Sequence, residues 1–198
     1  MNPVPAIILS AGESRRMGTP KALLPFRGQT FLDGLIARLQ ILCDPVIVVL
    51  GHDADRIRPA ITAPVRIVVN PNYPLGMLSS LQCGLRAVPE EAPYAVFTLV
   101  DHPNPAAATI AAVVQAPPAP VVIPRFEGRK GHPVRLSRTV IGELLALRPG
   151  AKPTDVLYRH VAATRFLDID DSGIVDDIDD RAAYDEFMAR CGESRARV

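Results

Sequence analysis

The chain alternates between two kinds of hydrophobic pattern. Short apolar runs rich in β-branched residues, such as 4–9, are typical of buried strands. Longer segments in which apolar residues recur every three or four positions, such as 30–42, are typical of amphipathic helices. The predicted strands are 4–9, 45–50, 65–69, 94–100, 121–123 and 165–169, and the predicted helices are 30–42, 53–58, 78–88, 105–115, 137–147, 154–160 and 181–190.

Strands and helices that alternate at this spacing predict an α/β fold. We expect a single three-layer α/β/α domain with a mostly parallel, Rossmann-like sheet, because parallel strands need helical crossovers. The domain is expected to span 1–191, with a frayed C-terminal tail at 192–198. Such sheets bind ligands beyond the carboxyl ends of their strands. The loop after Leu9, the Gly51-His52 turn and Asp101 should therefore share one edge.

The first predicted strand leads into a loop of small and cationic residues. It contains Gly12, Ser14, Arg15, Arg16 and Lys21. Small residues after a strand let backbone N–H groups approach a ligand, and fixed cations beside them favour polyphosphate. The loop ends Pro-Lys-Ala, unlike a Walker loop, and lacks the G-x-G-x-x-G spacing of the dinucleotide fingerprint. It is therefore predicted to be another type of phosphate loop; a surface loop with solvated cations is the alternative.

The segment from Leu9 to Leu24 fits L-x-x-G-x-S-x-R-M-G-x-P-K-x-L-L at every fixed position. This pattern resembles the signature of nucleotidyltransferases, and the chain is most similar to the molybdenum cofactor cytidylyltransferase family. The resemblance implies a nucleotide-diphospho-sugar transferase-like fold. It assigns catalysis to Arg16, Lys21 and Asp101, and nucleotide binding to Leu9, Ser10, Ala11, Gly12, Ser14, Arg15, Arg16, Lys21 and Ser80.

Two acidic positions are candidates for binding Mg²⁺. Asp101 ends a predicted strand and begins D-H-P, and a carboxylate there suits a hard cation that also binds phosphate oxygens. Similarity to the family's D-x-P and D-I-D-T segments implies that Asp101 and Asp179 share the ion. A turn or helix cap is the alternative for Asp101, and most of the wider C-terminal acidic run is expected to be solvated or to cap the last helix, independent of metal. His102 replaces the Gln of many relatives, which leaves its role open.

The family resemblance assigns recognition of the nucleotide base to two residues. The segment 76–85 resembles the family's G-x-x-S-S-L-x-x-G-L, in which the second serine, here Ser80, helps to hold the base. A simple helix N-cap would also explain a serine there. Ala11 resembles the cytidylyltransferases, whereas guanylyltransferases tend to have Gly, so CTP is expected over GTP. Ser10 departs from the commoner Ala.

A basic, glycine-rich segment at 128–133 is similar to the G-H-P segment of the cytidylyltransferase branch. Lys130 and His132 are the residues through which it could receive an anionic acceptor. An ordinary basic surface loop is the competing interpretation.

Composition excludes several other classes of protein. The chain has 198 residues, 48% of them hydrophobic and 22% charged, and a net charge of +1. This charge gives no general attraction to nucleic acid or to an anionic membrane. No apolar run approaches the ~20 residues of a membrane span. Three scattered cysteines suggest neither a disulfide framework nor a zinc site. Without a signal peptide pattern, a cytoplasmic location is expected.

The resemblance implies a Mg²⁺-dependent nucleotidyltransferase that transfers CMP from CTP to the phosphate of molybdopterin or the molybdenum cofactor, with release of pyrophosphate. A molybdoenzyme or its maturation factor could be a partner. Two alternatives stay open. One is a transferase of the same fold that uses GTP or another nucleotide on a different phosphorylated acceptor, such as a sugar phosphate. The other is a non-catalytic maturation protein that binds and delivers the cofactor.

Overall fold

The structure is a computed structural model that describes residues 3–193. Its strands are β1 (Val4–Ser10), β2 (Pro25–Phe26), β3 (Gln29–Thr30), β4 (Cys43–Leu50), β5 (Arg66–Val69), β6 (Tyr94–Leu99), β7 (Val121–Phe126), β8 (Arg129–Lys130), β9 (Val134–Ser137) and β10 (Arg165–Asp168). Its α-helices are α1 (Phe31–Leu39), α2 (Ala54–Ile57), α3 (Met77–Arg86), α4 (Ala107–Gln115), α5 (Arg138–Leu145), α6 (Pro153–Arg159) and α7 (Arg181–Arg190).

The central sheet is mixed but mostly parallel. Its order is β10-β7-β9-β6-β1-β4-β5, with β8 paired to β7. Strand β1 lies between β4 and β6 and is parallel to both. Only β8 and β9 run antiparallel to their neighbours within this sheet. The predicted three-layer α/β fold with a mostly parallel sheet is confirmed.

The alternation of side chains along β1 builds a core on each face of the sheet. Ala6 and Ile8 pack on one face with α1, α4 and α7, while Ile7 and Leu9 pack on the other with α3 and α5. All four side chains are buried, as expected for a central parallel strand covered by helices on both sides.

Every predicted strand and helix is present, with small shifts at the ends. Helix α1 ends at Leu39 rather than at 42, and Thr30 caps its start by accepting a hydrogen bond from Asp33 N at 3.0 Å. Helix α7 has the predicted bounds, and Asp180 caps it in the same way through Ala183 N. Local apolar periodicity therefore predicted these strands and helices.

Strand β9 was not predicted, because a buried arginine interrupts its apolar pattern. Arg135 is 3% exposed and lies between the buried residues Val134 and Leu136. Its guanidinium donates to the carbonyl groups of Val114, Ala116 and Pro117 at 2.7 to 2.8 Å, which satisfies the carboxyl end of α4. In the sequence, the arginine makes this segment resemble a loop. Its hydrogen bonds to the distant end of α4 explain why a charged residue lies in a buried strand.

The ends of the chain add little to this picture. No helix among residues 3–193 is long and apolar enough to cross a membrane. Of the tail predicted to fray, residues 194–198 lie outside the described part. Gly192 N and Glu193 N bond to the carbonyl groups of Ala189 and Met188. The single-domain boundary at 191 stays a prediction.

Candidate active site

A cavity of about 400 Å³ opens at the carboxyl ends of β1 and β6. Every residue that the sequence assigned to nucleotide binding or catalysis lines it, together with Asp179. These residues are Leu9, Ser10, Ala11, Gly12, Ser14, Arg15, Arg16, Lys21, Ser80 and Asp101. The expectation that the strand ends share one edge is confirmed, since Leu9 pairs with Leu99 and Ser10 pairs with Leu50.

Ser14 organises the loop that follows β1. Its backbone adopts a left-handed conformation with φ of 50°, and its carbonyl oxygen accepts hydrogen bonds from Met17 N and Gly18 N at 3.0 Å. Its hydroxyl accepts from Lys21 N at 3.2 Å. Apart from its two chain neighbours, no heavy atom of residues 3–193 lies within 4 Å of the position where Gly12 would carry a Cβ. The loop is closed on itself beside Gly12, which leaves the Gly12 backbone open to a ligand.

The turn after β4 forms the adjoining wall. His52 N donates to Ala11 O at 3.1 Å. A Cβ on Gly51 would lie 2.7 Å from Ala11 O and 2.8 Å from the Cβ atoms of Ala11 and Tyr73. Only glycine permits this approach, so Gly51 sets the position of Ala11 at the floor of the cavity.

Four charged side chains from three distant segments form one ion-pair network. Lys21 Nζ donates to Asp101 Oδ2 at 3.0 Å and to Asp179 Oδ1 at 2.8 Å. Arg16 Nη2 donates to Asp179 Oδ2 at 2.7 Å. The Lys21 side chain is 11% exposed, whereas that of Arg16 is 66% exposed. Lys21 is therefore fixed inside the site, while Arg16 lies at its mouth.

The charges of this network stabilise one another. Burial alone would lower the pKa of Lys21, but attraction to Asp101 and the hydrogen bond to Asp179 outweigh it, and the pKa is raised. Hydrogen bonds from Lys21 and then from Arg16 lower the pKa of Asp179 despite partial desolvation. Lys21 is consequently a permanent cation at neutral pH and not a proton acceptor.

A backbone contact brings the C-terminal acidic segment to the end of β6. Ile178 N donates to Asp101 O at 3.0 Å, so the flanking residues Asp177 and Asp179 both lie near Asp101. Asp171 secures the same junction, because its carboxylate accepts from Ala106 N at 2.8 Å, Thr109 Oγ1 at 2.6 Å and Gly173 N at 3.0 Å. Asp171 is therefore a bonded member of the acidic run, whereas Asp180 caps the last helix as predicted for this run.

Three potential metal ligands lie together next to Lys21. One oxygen of Asp101, one ring nitrogen of His102 and one oxygen of Asp177 are within 4.8 Å of one another. Within residues 3–193, Asp101 Oδ1 and His102 Nδ1 are buried and have no hydrogen-bond partner. Buried polar atoms are normally satisfied, so this donor set fits a divalent cation. Both oxygens of Asp179 already accept from cations, and its role as a ligand stays a prediction.

Ser80 lies inside α3 rather than at its start. Gly76 occupies the N-cap position, so the N-cap interpretation of Ser80 is wrong. Asn70 Nδ2 donates to Ser79 Oγ at 2.9 Å and to Ser80 Oγ at 3.0 Å. Because Ser80 Oγ accepts from Asn70, its own proton can be donated into the cavity.

The two residues predicted to bind the acceptor do not line the cavity. Lys130 Nζ lies over the rings of Phe166 and Tyr158, 5.6 Å and 5.8 Å from their centroids. The ring of His132 lies 4.8 Å from that of His102. Burial, followed by the proximity of His102, lowers the pKa of His132 to about 3, which keeps its ring neutral. Acceptor binding by Lys130 and His132 stays a prediction.

Sequence reasoning missed several lining residues, because their types carry no chemical signal. Ile57, Tyr73 and Met77 add apolar groups to the lining of the cavity. The Met77 side chain belongs to the exposed large hydrophobic groups of the surface. The apolar Met77, three residues before Ser80, was the available indication in the sequence, and its exposure is a finding of the structure.

The chain resembles nucleotidyltransferases in both sequence and structure. The molybdenum cofactor cytidylyltransferase of Escherichia coli (strain K12) is 27% identical over 90% of this chain and 92% of its own length. A probable molybdenum cofactor guanylyltransferase of Mycolicibacterium paratuberculosis is 36% identical over 69% of this chain and 70% of its own.

A solved structure matches over almost the whole length. Rv0371c from Mycobacterium tuberculosis H37Rv has a TM-score of 0.83 and 30% identity, with coverage of 95% of this chain and 99% of that one. Its complex with manganese has a TM-score of 0.78 and 29% identity over the same shares of both chains. Residues 6–164 match the family described as the MobA-like NTP transferase domain. With the phosphate loop, Lys21 and Asp101 converging on one cavity, the chain belongs to this family of nucleotidyltransferases.

Proposed function

We propose that the protein transfers CMP from CTP to the phosphate of molybdopterin, or of the molybdenum cofactor built on it, and releases pyrophosphate. The observation that carries the proposal is the position of Lys21, which lies between two carboxylates at one end of a cavity lined by the 9–16 loop. A fixed cation beside a loop with an open backbone suits a triphosphate whose α-phosphate is attacked.

The reaction needs positioning more than proton transfer. A phosphomonoester is mostly dianionic at neutral pH, since its second pKa is about 6, so its oxygen attacks without a general base. The barrier arises from bringing two anions together and from charge that develops on the departing pyrophosphate. The permanent charge of Lys21 meets the first requirement, because its pKa is raised by Asp101 and Asp179 although burial opposes this.

Arg16 has a different role from Lys21. Among residues 3–193, Asp179 holds the exposed guanidinium of Arg16, which can turn from that carboxylate toward the β- and γ-phosphates when the nucleotide enters. A planar guanidinium binds two phosphate oxygens at once. Arg16 would then offset charge on the leaving group while Lys21 stays at the α-phosphate.

The carboxylates at the end of β6 and in the C-terminal segment would hold a divalent cation, with Mg²⁺ as the predicted ion. Asp101 fits this role because Oδ2 accepts from Lys21 while the buried Oδ1 has no partner among the described residues. When bound, such an ion would act as a Lewis acid that offsets the negative charge of the phosphates. Asp179 was predicted as the second ligand and also orients Lys21 and Arg16.

Selection of cytosine is proposed to depend on the floor of the cavity. The hydroxyl of Ser80, oriented by Asn70, can donate to a carbonyl oxygen of the base. The methyl group of Ala11 lies against Gly51 and reduces the room for the base compared with glycine, which favours a pyrimidine. The name of the E. coli relative supports CTP and molybdopterin, whereas the guanylyltransferase relatives keep GTP as the competing nucleotide.

Thermal unfolding with each nucleotide tests the proposal directly. CTP, GTP, ATP and UTP are added separately at one common concentration, about 100 times the dissociation constant of CTP, each with and without Mg²⁺. Binding at that excess adds about 2.7 kcal/mol to the free energy of unfolding. CTP should stabilise the protein most, and Asp101→Ala should remove the contribution of the ion. Pyrophosphate release with molybdopterin then separates an enzyme from a carrier.

Each other outcome has a definite meaning. A larger shift with GTP would overturn the argument from Ala11. A response to UTP or ATP would favour a sugar-phosphate acceptor. Binding of CTP and molybdopterin without pyrophosphate release would show a maturation protein that delivers the cofactor.

A further inference from the structure

We propose that the divalent-metal site of this chain consists of Asp101, His102 and Asp177, and that its histidine makes the site prefer a first-row transition ion such as Mn²⁺ or Co²⁺ over Mg²⁺. The inference deepens the proposed function and rests on it for the role of the ion in transfer. Binding of the ion does not depend on that function, because it requires the three side chains and no nucleotide or acceptor.

The spacing of the three groups suits one ion. Their ligand atoms lie within 4.8 Å of one another. Ligands at about 2.1 Å from an octahedral ion are about 3.0 Å apart in adjacent positions and about 4.2 Å apart in opposite positions. Asp177 is the exposed member of the three, so rotation of its side chain can bring its oxygen closer to the other two atoms.

The His102 ring is held where a ligand is needed. Its backbone N–H donates to Leu99 O at 3.1 Å, which closes the turn after β6. Its ring packs against that of His132, and the His132 ring in turn packs against Phe97 at 5.3 Å. His132 N also bonds to Ile174 O at 3.0 Å. The rings of His132 and Phe97 thus fix the position of the imidazole. Its Nδ1 is buried without a partner among residues 3–193.

Asp177 is better suited to an added cation than Asp179. Both oxygens of Asp179 accept from Lys21 and Arg16, so its charge is already balanced. One Asp177 oxygen lies within 4.8 Å of the ligand atoms of Asp101 and His102, and a metal ion between the two carboxylates would offset their mutual repulsion.

The donor set determines the preferred ion. Carboxylates and water satisfy Mg²⁺, whereas an imidazole nitrogen adds most to Mn²⁺, Co²⁺ and the later ions of the series. A glutamine at position 102 would offer an oxygen in place of this nitrogen. The substitution His102→Gln should accordingly reduce the affinity for transition ions while it hardly changes the affinity for Mg²⁺.

The test measures metal binding to chelator-treated full-length protein without nucleotide. Calorimetry gives the affinities for Mn²⁺, Co²⁺ and Mg²⁺, and electron spin-echo modulation of bound Mn²⁺ reports a nitrogen ligand. We expect Mn²⁺ to bind at least about tenfold more tightly than Mg²⁺. In His102→Gln the affinity for Mn²⁺ should fall about tenfold or more, the affinity for Mg²⁺ less than threefold, and the nitrogen modulation should disappear.

Variants of the acidic segment identify the second carboxylate. Asp177→Asn should lower the affinity for all three ions. Asp170→Asn, which removes an exposed carboxylate from the same segment, should leave the three affinities unchanged. A wild-type Mn²⁺ signal without nitrogen modulation would overturn the role of His102. Loss of binding in Asp179→Asn but not in Asp177→Asn would overturn the assignment of Asp177.

Two further measurements keep the outcomes separable. Thermal unfolding of each metal-free variant shows whether it is folded, so loss of metal affinity in a folded variant counts as loss of a ligand. Pyrophosphate release from CTP with molybdopterin is assayed separately. Normal Mn²⁺ binding without turnover would contradict the proposed function but support the metal site. Turnover without any Mn²⁺ binding to the wild type would support the proposed function but overturn the metal site.

Discussion

Lys21 Nζ lies 3.0 Å from Asp101 Oδ2, although the two residues are 80 positions apart in sequence. The contact joins the phosphate loop to the end of β6, where the C-terminal segment adds Asp179 to the same ammonium group. One cation thus connects the three segments of the site. Its removal would leave two neighbouring carboxylates with Arg16, which pairs with Asp179, as the remaining cation of the network.

Loss of either partner should abolish most of the activity. We predict that Lys21→Ala and Asp101→Ala each lower the rate of transfer a hundredfold or more, about 3 kcal/mol of transition-state stabilisation. The measurement is pyrophosphate release from CTP with molybdopterin. Lys152→Ala, which removes an exposed lysine at the start of α6, should leave the rate unchanged. Near-normal turnover in either site variant would contradict the assignment.

Ser79 and Ser80 form a matched pair for testing recognition of the base. Both hydroxyl groups accept from Asn70, but only Ser80 is among the residues that line the cavity. Ser80→Ala should raise the KM for CTP about tenfold, with kcat within about threefold, because a hydrogen bond to the bound base is lost in ground and transition states alike. Ser79→Ala should leave the KM unchanged. Equal effects from both variants would indicate that Asn70, rather than the base, is the partner that matters.

Asp171 should stabilise the fold and not only the surface. Its carboxylate satisfies two backbone N–H groups and the hydroxyl of Thr109. We predict that Asp171→Ala lowers the free energy of unfolding by about 2 kcal/mol, comparable to loss of a helix cap with an additional hydrogen bond. Urea unfolding measures the change, and Asp170→Asn serves as the control. A double variant with Thr109→Val should be less destabilised than the sum of the two single changes.

Gly131 is predicted to be irreplaceable at the junction behind His132. A Cβ at this position would lie 2.5 Å from Ile174 O, a backbone atom that cannot move without shifting the acidic segment. Gly131→Ala should cost about 2 kcal/mol of stability by overpacking. Gly142→Ala is the matched control, because α5 has open space there and the helix should gain up to about 1 kcal/mol. Similar unfolding midpoints for the two variants would refute this view of the junction.

Cys43 should make the protein less stable in alkali. Burial raises the pKa of its thiol from 9.0 to about 12, so the folded state keeps a proton that the unfolded chain releases. The free energy of unfolding should consequently fall as the pH rises above 9, by up to about 1.4 kcal/mol per pH unit from this group, until about pH 12. Urea unfolding of Cys43→Ala should show a shallower decline than the wild type.

Cys83→Ala is the comparison for that experiment. Burial also raises the pKa of Cys83, but nearby Arg86 opposes the shift and the side chain is only partly buried. Its removal should flatten the decline less than removal of Cys43. Parallel curves for the wild type and Cys43→Ala would show that the thiol does not remain protonated in the folded state.

The helices and most strands could be predicted because their signals are local. The run from Val4 to Leu9 and the spacing of apolar residues in α1 depend only on the side chains within each segment. The phosphate loop was equally accessible, since its small residues and cations follow one another directly in sequence. The fold class and the composition of the loop that lines the cavity were therefore determined by the sequence.

The tertiary structure decided the relations between segments. Strand β9 runs antiparallel to β6 and so begins where β6 ends, which brings His132 to His102. The burial of Arg135 in β9 is explained by its hydrogen bonds to carbonyl groups at the end of α4. The bond from Ile178 N to Asp101 O brings Asp177 beside His102. Such contacts depend on the path of the whole chain, because local propensity carries no information about partners that lie far away in sequence.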